Sequence, residues 1–388
     1  MFYFLMLGFF VIISTMCKKN AHKIIVTLSY FILLLFASFR FGIGIDYFNF
    51  HAFYIFAPSL SSGDVLNSIH AHQFEPVFIF LMMIFRHFNL PFTAFIAFCA
   101  FVSLSLIFYT IQKYSSNRTM SLLAFFACYY MIYIESALRQ GLAMAIFIYA
   151  FYSFLHRGKL IKYYLLIILG MTMHTSLVIA FFIPILIKIN NEFFFNLRNI
   201  IFMIAISFAL IPIMPILLMQ IDSLLFNGRN YSYFIDTNFF IMAILYRLTM
   251  LAFSVFLYIK SKDNLSEIEL KCLKVYIGGI LIYFSFSPMA ILSRLTEYLM
   301  FIDIIFIPSI LIHFSLKQRR VFKAALVCIF IILFTNDIES FVQNRRYIGL
   351  NNVFDYRYIT IFNKEDKYDM LRCNIAINRY FRHERRRN

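Results

Sequence analysis

The chain has 388 residues, of which 62% are hydrophobic and 14% are charged, and its formal net charge is +16. Soluble domains carry about 25% charged residues, so this composition excludes an ordinary soluble protein. The basic residues cluster at the ends of apolar runs and are not interleaved with aromatic residues, which argues against nucleic acid as a partner.

Apolar runs of membrane-spanning length follow one another along the chain. A transmembrane helix needs about 20 predominantly apolar residues, and most of these runs approach that length. Ten spans are predicted, at residues 2–17, 22–39, 91–112, 119–135, 140–156, 199–220, 239–259, 273–293, 295–316 and 321–336. The first run is predicted to be a transmembrane helix and not a signal peptide, because the positive charges of Lys18 and Lys19 follow it instead of preceding it.

Two further apolar segments, residues 74–88 and 163–187, do not fit simple spans. The first opens with a Glu-Pro pair, which favours a helix start, but its apolar stretch is too short to cross a bilayer. The second is broken in its middle by Gly170 and His174. Irregular backbone at membrane depth persists only where it is buried in protein or lines a wet cavity. Both segments are therefore predicted to be interrupted or re-entrant elements that border a site.

These patterns predict an all-α polytopic integral membrane protein with about ten transmembrane helices and two interrupted or re-entrant elements. A single transmembrane domain covers residues 1–336, and a basic C-terminal tail covers 337–388. The positive-inside rule places three basic clusters in the cytoplasm, namely Lys18/Lys19/Lys23, Arg157/Lys159/Lys162 and Lys317/Arg319/Arg320/Lys323. Six polar residues are then predicted at the external face or reaching toward it from mid-membrane: Arg40, Asp46, Glu75, Arg139, Arg294 and His174.

The stretch SFRFGIGIDYFNFHAFY, residues 38–54, places two charges and two glycines in otherwise apolar surroundings. An external arginine runs against the positive-inside bias, and Gly42 and Gly44 let backbone amides approach an anion. Arg40 is therefore a candidate anion ligand, with snorkelling toward lipid headgroups as the alternative. Asp46 is either a functional acid or the cap of the helix that follows it.

Two later arginines are also candidate anion ligands. Arg139 and Gln140 begin a predicted helix, where the helix dipole, a guanidinium and an amide together attract phosphate. The alternative for Arg139 is an ordinary i,i+4 ion pair with Glu135. Arg294 lies between two apolar spans with Glu297 three residues later, so it is either a phosphate ligand or the partner of that carboxylate.

His174 is the candidate general base, because a neutral imidazole accepts a proton near neutral pH. The alternative is a hydrogen-bonded core histidine in an apolar helix. His70, His72 and Glu75 imitate a metal-ligand set, but a His-x-His pair in a polar loop is common by chance. No metal and no cofactor are predicted.

Together these landmarks resemble the EpsG-like branch of the Wzy polysaccharide polymerases. The matching pieces are Arg40-Phe-Gly-Ile-Gly-Ile-Asp46-Tyr47, Glu75 opening a short apolar element, Arg139-Gln140 at a helix start, Gly-x-x-x-His174-Thr-Ser, and a late Arg294. Their order spans residues 1 to about 336. One departure is Phe50, where the family more often has a tyrosine.

The resemblance implies a glycosyltransferase that polymerises undecaprenyl-pyrophosphate-linked repeat units at the outer face of the bacterial inner membrane, for O-antigen, capsule or exopolysaccharide. Residues 1–336 would form its catalytic domain, and arginines would replace a metal. The implied partners are the lipid-linked glycan donor and acceptor, membrane lipids, a chain-length regulator and a flippase. The implied diphosphate ligands are Arg40, Arg139, Arg294 and Gln140. His174 is the expected base, with Glu75 and Asp46 as acceptor-positioning or reserve candidates, so the identity of the base stays open.

Three other functions share parts of this pattern. A flippase for lipid-linked sugar would favour basic residues in a central cavity and internal repeats, and the sequence displays neither. An O-antigen ligase uses the same kind of donor and site, with lipid A core as the acceptor. A membrane acyltransferase would place an early histidine motif near the cytoplasmic side. The order of the motifs favours the polymerase.

Overall fold

The computed structural model describes residues 1–16, 22–57, 60, 74–226, 241–287, 289–343, 352–363 and 373–378. These residues are predominantly helical and include no β-strand, apart from one isolated antiparallel bridge between Arg40 and Thr360. Several helices are long and apolar enough to cross a membrane. The predicted all-α polytopic membrane fold is confirmed.

The first half of the chain supplies a central group of long helices and one hairpin. Its elements are α1 (Phe2–Met16), α2 (His22–Phe39), α3 (Tyr47–Phe56), α4 (Pro76–His87), α5 (Phe92–Tyr114), α6 (Arg118–Phe125) with a π-helical continuation (Phe126–Ser136), α7 (Leu138–Arg157), α8 (Leu160–Met171), a 3₁₀ helix (Thr175–Phe182) and α9 (Ile183–Leu186). Helix α7 is the centre of this group, because it packs against α5, α8 and the π-helical segment.

The second half adds helices around this group. Its elements are α10 (Asn191–Phe194), α11 (Leu197–Ala209), α12 (Ile213–Phe226), α13 (Ile241–Ser261), α14 (Glu267–Phe286), α15 (Ala290–Phe301), α16 (Asp303–Ile310), a 3₁₀ turn (Leu311–His313) and α17 (Leu316–Gln343). Helix α15 packs against both α14 and the 3₁₀ helix of the hairpin, so it connects the two halves.

The spans are less uniform than the ten predicted runs. Within the described residues six helical spans are long and apolar enough to cross a membrane, or seven if the bent pair α11–α12 counts as one. The predicted span 199–220 is wrong as a single helix, since α11 and α12 meet at 61°. Pro212 lies at that break, and proline removes the backbone donor that a continuous helix needs. The predicted span 273–293 ends instead at Phe286, and α15 starts anew at Ala290.

The predicted break in 163–187 is a helical hairpin. The Tyr163 hydroxyl donates to the carbonyl of Ala180 at 2.6 Å, and the rings of Tyr164 and Phe181 stack with centroids 5.3 Å apart. The 3₁₀ helix therefore runs back alongside α8, so that the two ends of the hairpin lie next to each other. There the Lys274 Nζ donates to the carbonyls of Ile187 and Ile189. The segment is thus interrupted and folded back on itself, and its turn at residues 172–174 forms the tip.

The bundle has two chemically different ends. The basic end carries Lys113, Arg157, Lys162 and Lys188, which lie at or near the termini of helices, and Lys274 in the first half of α14. There the ring of Tyr114 stacks on His156 at 4.5 Å, which places the end of α5 beside the end of α7. The opposite end, here named the tip end, contains the hairpin tip and the start of α7.

Part of the tail packs onto the tip end. Helix α17 continues to Gln343, past the expected boundary at residue 336, and residues 352–363 form a segment against α1 and α2. The Met1 amino group donates to the carbonyl of Phe354 at 3.1 Å, and the Tyr358 hydroxyl donates to the carbonyl of Phe36 at 2.7 Å. This C-terminal segment, residues 352–363, therefore forms part of the folded body.

Candidate active site

Glu75 brings three separate segments together at the tip end. It precedes Pro76 at the start of α4, yet its side chain makes no capping hydrogen bond there. Its carboxylate instead accepts from Arg139 Nη1 at 2.6 Å and from the backbone N–H of Thr175 at 3.0 Å. With only 8% of Glu75 exposed, the carboxylate is largely desolvated and needs these partners. Its position is therefore set by α7 and by the hairpin tip.

Arg139 lies at the second position of α7, as the sequence predicts. A Cβ at Gly141 would collide with the carbonyl oxygen of Tyr133, so glycine lets the start of α7 lie against the π-helical segment. The predicted alternative, an i,i+4 pair with Glu135, is wrong. The helix is interrupted at Ala137, and Glu135 accepts from a tyrosine hydroxyl of α1 at 2.9 Å.

The Arg139 guanidinium is oriented by an aromatic ring as well as by the carboxylate. Its central carbon lies 4.2 Å from the centroid of the Phe74 ring, within the range of a cation–π contact. The side chain remains 24% exposed. Its buried Nε has no hydrogen-bond partner among the described residues, so donor capacity is left over.

His174 lies at the hairpin tip, where α8 has ended and the 3₁₀ helix begins. Its Nδ1 makes a short contact with the Ser176 hydroxyl, which in turn lies 3.1 Å from the hydroxyl of Tyr298. Tyr298 belongs to α15 and is completely buried. This chain of hydroxyls fixes the imidazole relative to α15. Glu75, Arg139 and Arg294 are all close enough to His174 to act on its charge.

Arg294 and Gln140 complete the polar group on the α15 side. The side chain of Gln140 is buried and donates a long hydrogen bond, 3.5 Å, to the backbone carbonyl of Arg294. Arg294 itself is exposed near the start of α15. The predicted alternative, an ion pair of Arg294 with Glu297, is wrong, because the Glu297 carboxylate pairs with Arg247 at 2.7 Å. The Arg294 guanidinium has no ion-pair partner within the part of the chain that the structure describes.

Asp46 faces the same arginines. It occupies the cap position before α3 but makes no capping bond from its side chain, and it hydrogen-bonds Asn49 instead. Burial raises the pKa of the Asp46 carboxyl above its ordinary value, and the charges of Arg294 and Arg139 oppose that rise. Asp46 therefore has a position from which it interacts with both guanidiniums.

Arg40 lies in a different environment from the other predicted ligands. It is 1% exposed, and its guanidinium donates to the carbonyl of Ala37 in its own helix. Its neighbours are Tyr130 and Tyr358, and the buried Glu135 carboxylate lies near the same two tyrosines. Its backbone joins the C-terminal segment through the bridge to Thr360. Arg40 thus sits in a tyrosine-lined pocket beside the polar group, without access to solvent.

The loop after Arg40 is nevertheless close to the start of α7. Gly44 has φ of 96°, and a Cβ there would collide with the carbonyl oxygen of Glu135. The next residue, Ile45, donates its N–H to the Ser136 hydroxyl at 3.0 Å. A residue with a side chain fits neither this backbone conformation nor this approach. Gly44 therefore allows the loop to pack closely against the segment that precedes Arg139.

Sequence reasoning missed two polar residues of this region. Arg247 lies within the apolar helix α13 and pairs with Glu297, and a lone arginine inside a predicted span was the signal that pointed to it. Tyr298 had no such signal, since tyrosines are abundant in this chain. Of the residues considered for a metal, His70 and His72 lie outside the described residues. The described part of the chain holds no group of three potential ligands arranged for a metal.

These features define a polytopic helical membrane protein with a charged site at one end of the bundle, built from a Glu–Arg pair and a hairpin-tip histidine. The sequence model of the EpsG family matches residues 23–357, and the chain belongs to that family. Membership indicates a polysaccharide polymerase, a glycosyltransferase-like activity in the membrane. No curated protein and no solved structure matches the chain significantly.

Proposed function

We propose that this protein polymerises oligosaccharide repeat units carried on undecaprenyl pyrophosphate, in the manner of a Wzy-type polymerase. A glycan is transferred from its lipid diphosphate to the non-reducing-end sugar of a second lipid-linked unit. The observation that carries this proposal is the meeting of the Glu75–Arg139 pair with the hairpin histidine at one end of a membrane bundle. Charges inside a membrane protein are costly and are retained mainly at functional sites.

The leaving group is the lipid diphosphate, and we assign it to Arg139 and Arg294. Arginine binds phosphate oxygens bidentately and keeps its charge at every physiological pH. The Arg139 side chain is partly exposed and its buried Nε is unpaired, and Arg294 is exposed without an ion-pair partner among the described residues. Guanidiniums placed where charge develops on the leaving oxygen lower the barrier to transfer. Gln140, beside both, is an accessory donor.

His174 is the proposed base. Its Nδ1 contacts the Ser176 hydroxyl and accepts a long hydrogen bond, 3.4 Å, from the Ser176 N–H. We propose that His174 acts as the base in its other tautomer. With Nδ1–H donating to that hydroxyl, Nε2 is left as the proton acceptor. The acceptor hydroxyl oxygen then attacks the anomeric carbon of the donor, and its proton passes to Nε2. The bond between that carbon and the phosphate oxygen breaks, and the electron pair leaves with the diphosphate.

The two carboxylates have supporting roles in this proposal. Glu75 accepts from Arg139 through one carboxylate oxygen and from the Thr175 N–H through the other, so both oxygens already have partners. It therefore orients Arg139 and the hairpin tip. Asp46 lies near both guanidiniums, and we assign to it a hydrogen bond to a sugar hydroxyl of the acceptor. Arg40 acts indirectly, by holding the loop that leads to Asp46.

The tip end faces the outside of the bacterial inner membrane in this proposal. Basic clusters favour the cytoplasmic side, and the opposite end of the bundle carries Lys113, Arg157 and Lys162. Lipid-linked repeat units and their polymerisation would then meet at the periplasmic or outer face. The finished product would serve as O-antigen, capsule or exopolysaccharide.

The glycan profile of a deletion strain tests this function. Loss of a polymerase leaves surface carrier molecules with one repeat unit, because ligation and export continue. Loss of a ligase or of a flippase leaves no repeat unit on the carrier. We expect one-unit molecules from the deletion strain and restored long chains when the wild-type gene is returned. A profile without any repeat unit would contradict the polymerase.

A further inference from the structure

A second arginine–glutamate pair lies within the helical bundle, near the first. Arg247 of α13 and Glu297 of α15 form an ion pair at 2.7 Å, and the guanidinium lies 3.6 Å from the centroid of the Tyr283 ring. The side chains are 13% and 22% exposed, respectively. Both side chains of the pair are therefore partly accessible.

The two pairs have the same chemical construction. In each, a glutamate carboxylate holds one guanidinium nitrogen at 2.6 or 2.7 Å, and an aromatic ring covers the guanidinium face. In each, the arginine Nε is buried and has no hydrogen-bond partner among the described residues. Among the described residues, Arg247 makes one other bond, a long one of 3.3 Å to the carbonyl of Ala243. Both guanidiniums thus keep a buried donor for which the described residues supply no acceptor, as Arg40 also does.

A purely structural link between α13 and α15 does not need this arrangement. Taking a guanidinium and a carboxylate out of water is costly, and apolar side chains of similar volume commonly serve as well or better. A charged pair within a membrane bundle is therefore expected where a charged ligand is handled. For the first pair, Glu75 and Arg139, the charged ligand proposed above is the diphosphate of the donor.

Helix α15 lies between the two pairs. Arg294, assigned above to the donor diphosphate, is one helical turn from Glu297, and Tyr298 of the same helix binds the hairpin tip through Ser176. Tyr133 lies near both Arg294 and Glu297, so it borders the two groups. The two pairs are therefore neighbouring parts of one polar region.

The reaction requires two lipid diphosphates, one on the donor and one on the acceptor. We propose that Arg247, held by Glu297, binds the diphosphate of the acceptor lipid, whereas Arg139 binds that of the donor. This inference rests on the proposed polymerase function. Only the donor diphosphate leaves, so the acceptor site needs to bind its diphosphate without stabilising a leaving group.

Purified protein in lipid nanodiscs allows the two roles to be separated. The donor is a radiolabelled undecaprenyl-pyrophosphate-linked repeat unit whose own acceptor hydroxyl is blocked by methylation. The acceptor is either the unlabelled lipid-linked unit or the same oligosaccharide without lipid and diphosphate. For Arg247→Lys we expect KM for the lipid-linked acceptor to rise about tenfold or more, with transfer to the free oligosaccharide unchanged. Arg139→Lys should impair transfer to both acceptors equally.

Two further variants keep this test informative. Arg86→Lys is the matched control, because Arg86 also lies over an aromatic ring, at 5.9 Å from the centroid of Tyr54, away from both pairs. If Arg247→Lys does not fold, the double variant Arg247→Gln/Glu297→Gln removes both charges and leaves no unpaired one.

The outcomes separate the inference from the function on which it rests. Equal loss with both acceptors, or no loss with either, would overturn the acceptor assignment of Arg247. Absence of transfer by the wild-type protein to either acceptor would overturn the polymerase function itself. Selective loss with the lipid-linked acceptor supports the assignment.

Discussion

Arg40 and Arg139 lie near the same end of the bundle, and both belong to Gly-containing motifs, yet their surroundings differ. Arg40 is 1% exposed and bonds a carbonyl of its own helix in a tyrosine-lined pocket. Arg139 is 24% exposed and bonds Glu75, a residue 64 positions away in the chain. The comparison shows that a local motif identifies a candidate functional arginine but does not determine whether its side chain faces a site. The contacts with residues from distant segments of the chain determine that.

The sharpest way to break the comparison is to change Arg139. Arg139→Lys keeps the charge but removes the planar fork, so an ammonium holds either Glu75 or the diphosphate but not both. We expect the rate of glycan transfer to fall about 100-fold with the amount of inserted protein unchanged. Transfer rates in nanodiscs, normalised to protein, measure this. Rates for Arg139→Lys equal to those for the control Arg86→Lys would show that the guanidinium has no role in transfer.

The same change at Arg40 should affect stability instead of transfer. In Arg40→Lys, the buried side chain no longer reaches its carbonyl acceptor with the same geometry, at a cost of about 2 kcal/mol. We expect a lower apparent Tm in detergent, with the KM for donor retained by the protein that remains folded. The exposed Arg357 of the C-terminal segment provides a matched control, Arg357→Lys. A stable Arg40→Lys protein with a raised KM would return Arg40 to the diphosphate ligands.

A smaller effect is expected from the hydroxyl chain behind His174. Tyr298→Phe removes the hydroxyl that lies 3.1 Å from the Ser176 Oγ and leaves the ring in place. Loss of one neutral hydrogen bond costs about 1 kcal/mol, or roughly a fivefold fall in kcat. The pH profile of kcat should shift as well, because the tautomer of His174 loses support. A fall in protein stability with an unchanged pH profile would reduce Tyr298 to a packing residue.

The smallest expected effect is a change in the pH dependence of stability when Asp46 is replaced. Burial raises the pKa of its carboxyl above the ordinary value of 3.8. Any stability linked to this group is present below that ordinary value and is lost as the pH rises through the folded-state pKa. Asp46→Asn removes the group, so its apparent Tm should exceed that of the wild type by about 1 to 2 °C at neutral pH. The difference should disappear near pH 3.8, and an equal difference at both pH values would contradict this cause.

Much of the fold was predictable because apolar run length and charge placement are local signals. The break at Gly170 and His174 was visible for the same reason, and the structure turns it into a hairpin. The pairing of residues was not predictable. Glu135 and Glu297 each have an arginine within about one helical turn in the sequence. The helix is interrupted at Ala137, between Glu135 and Arg139, and Glu297 forms its ion pair with Arg247 instead of Arg294.

The most direct measurement of the central claim is the transfer rate of His174→Gln in nanodiscs, together with binding of the lipid-linked donor. Glutamine keeps a similar size and one hydrogen bond but does not accept the proton of the acceptor hydroxyl. We expect a rate about 100-fold or more below wild type, with donor binding unchanged. A wild-type rate would contradict it, because the hairpin tip would then carry no base and the role would move to Glu75 or Asp46.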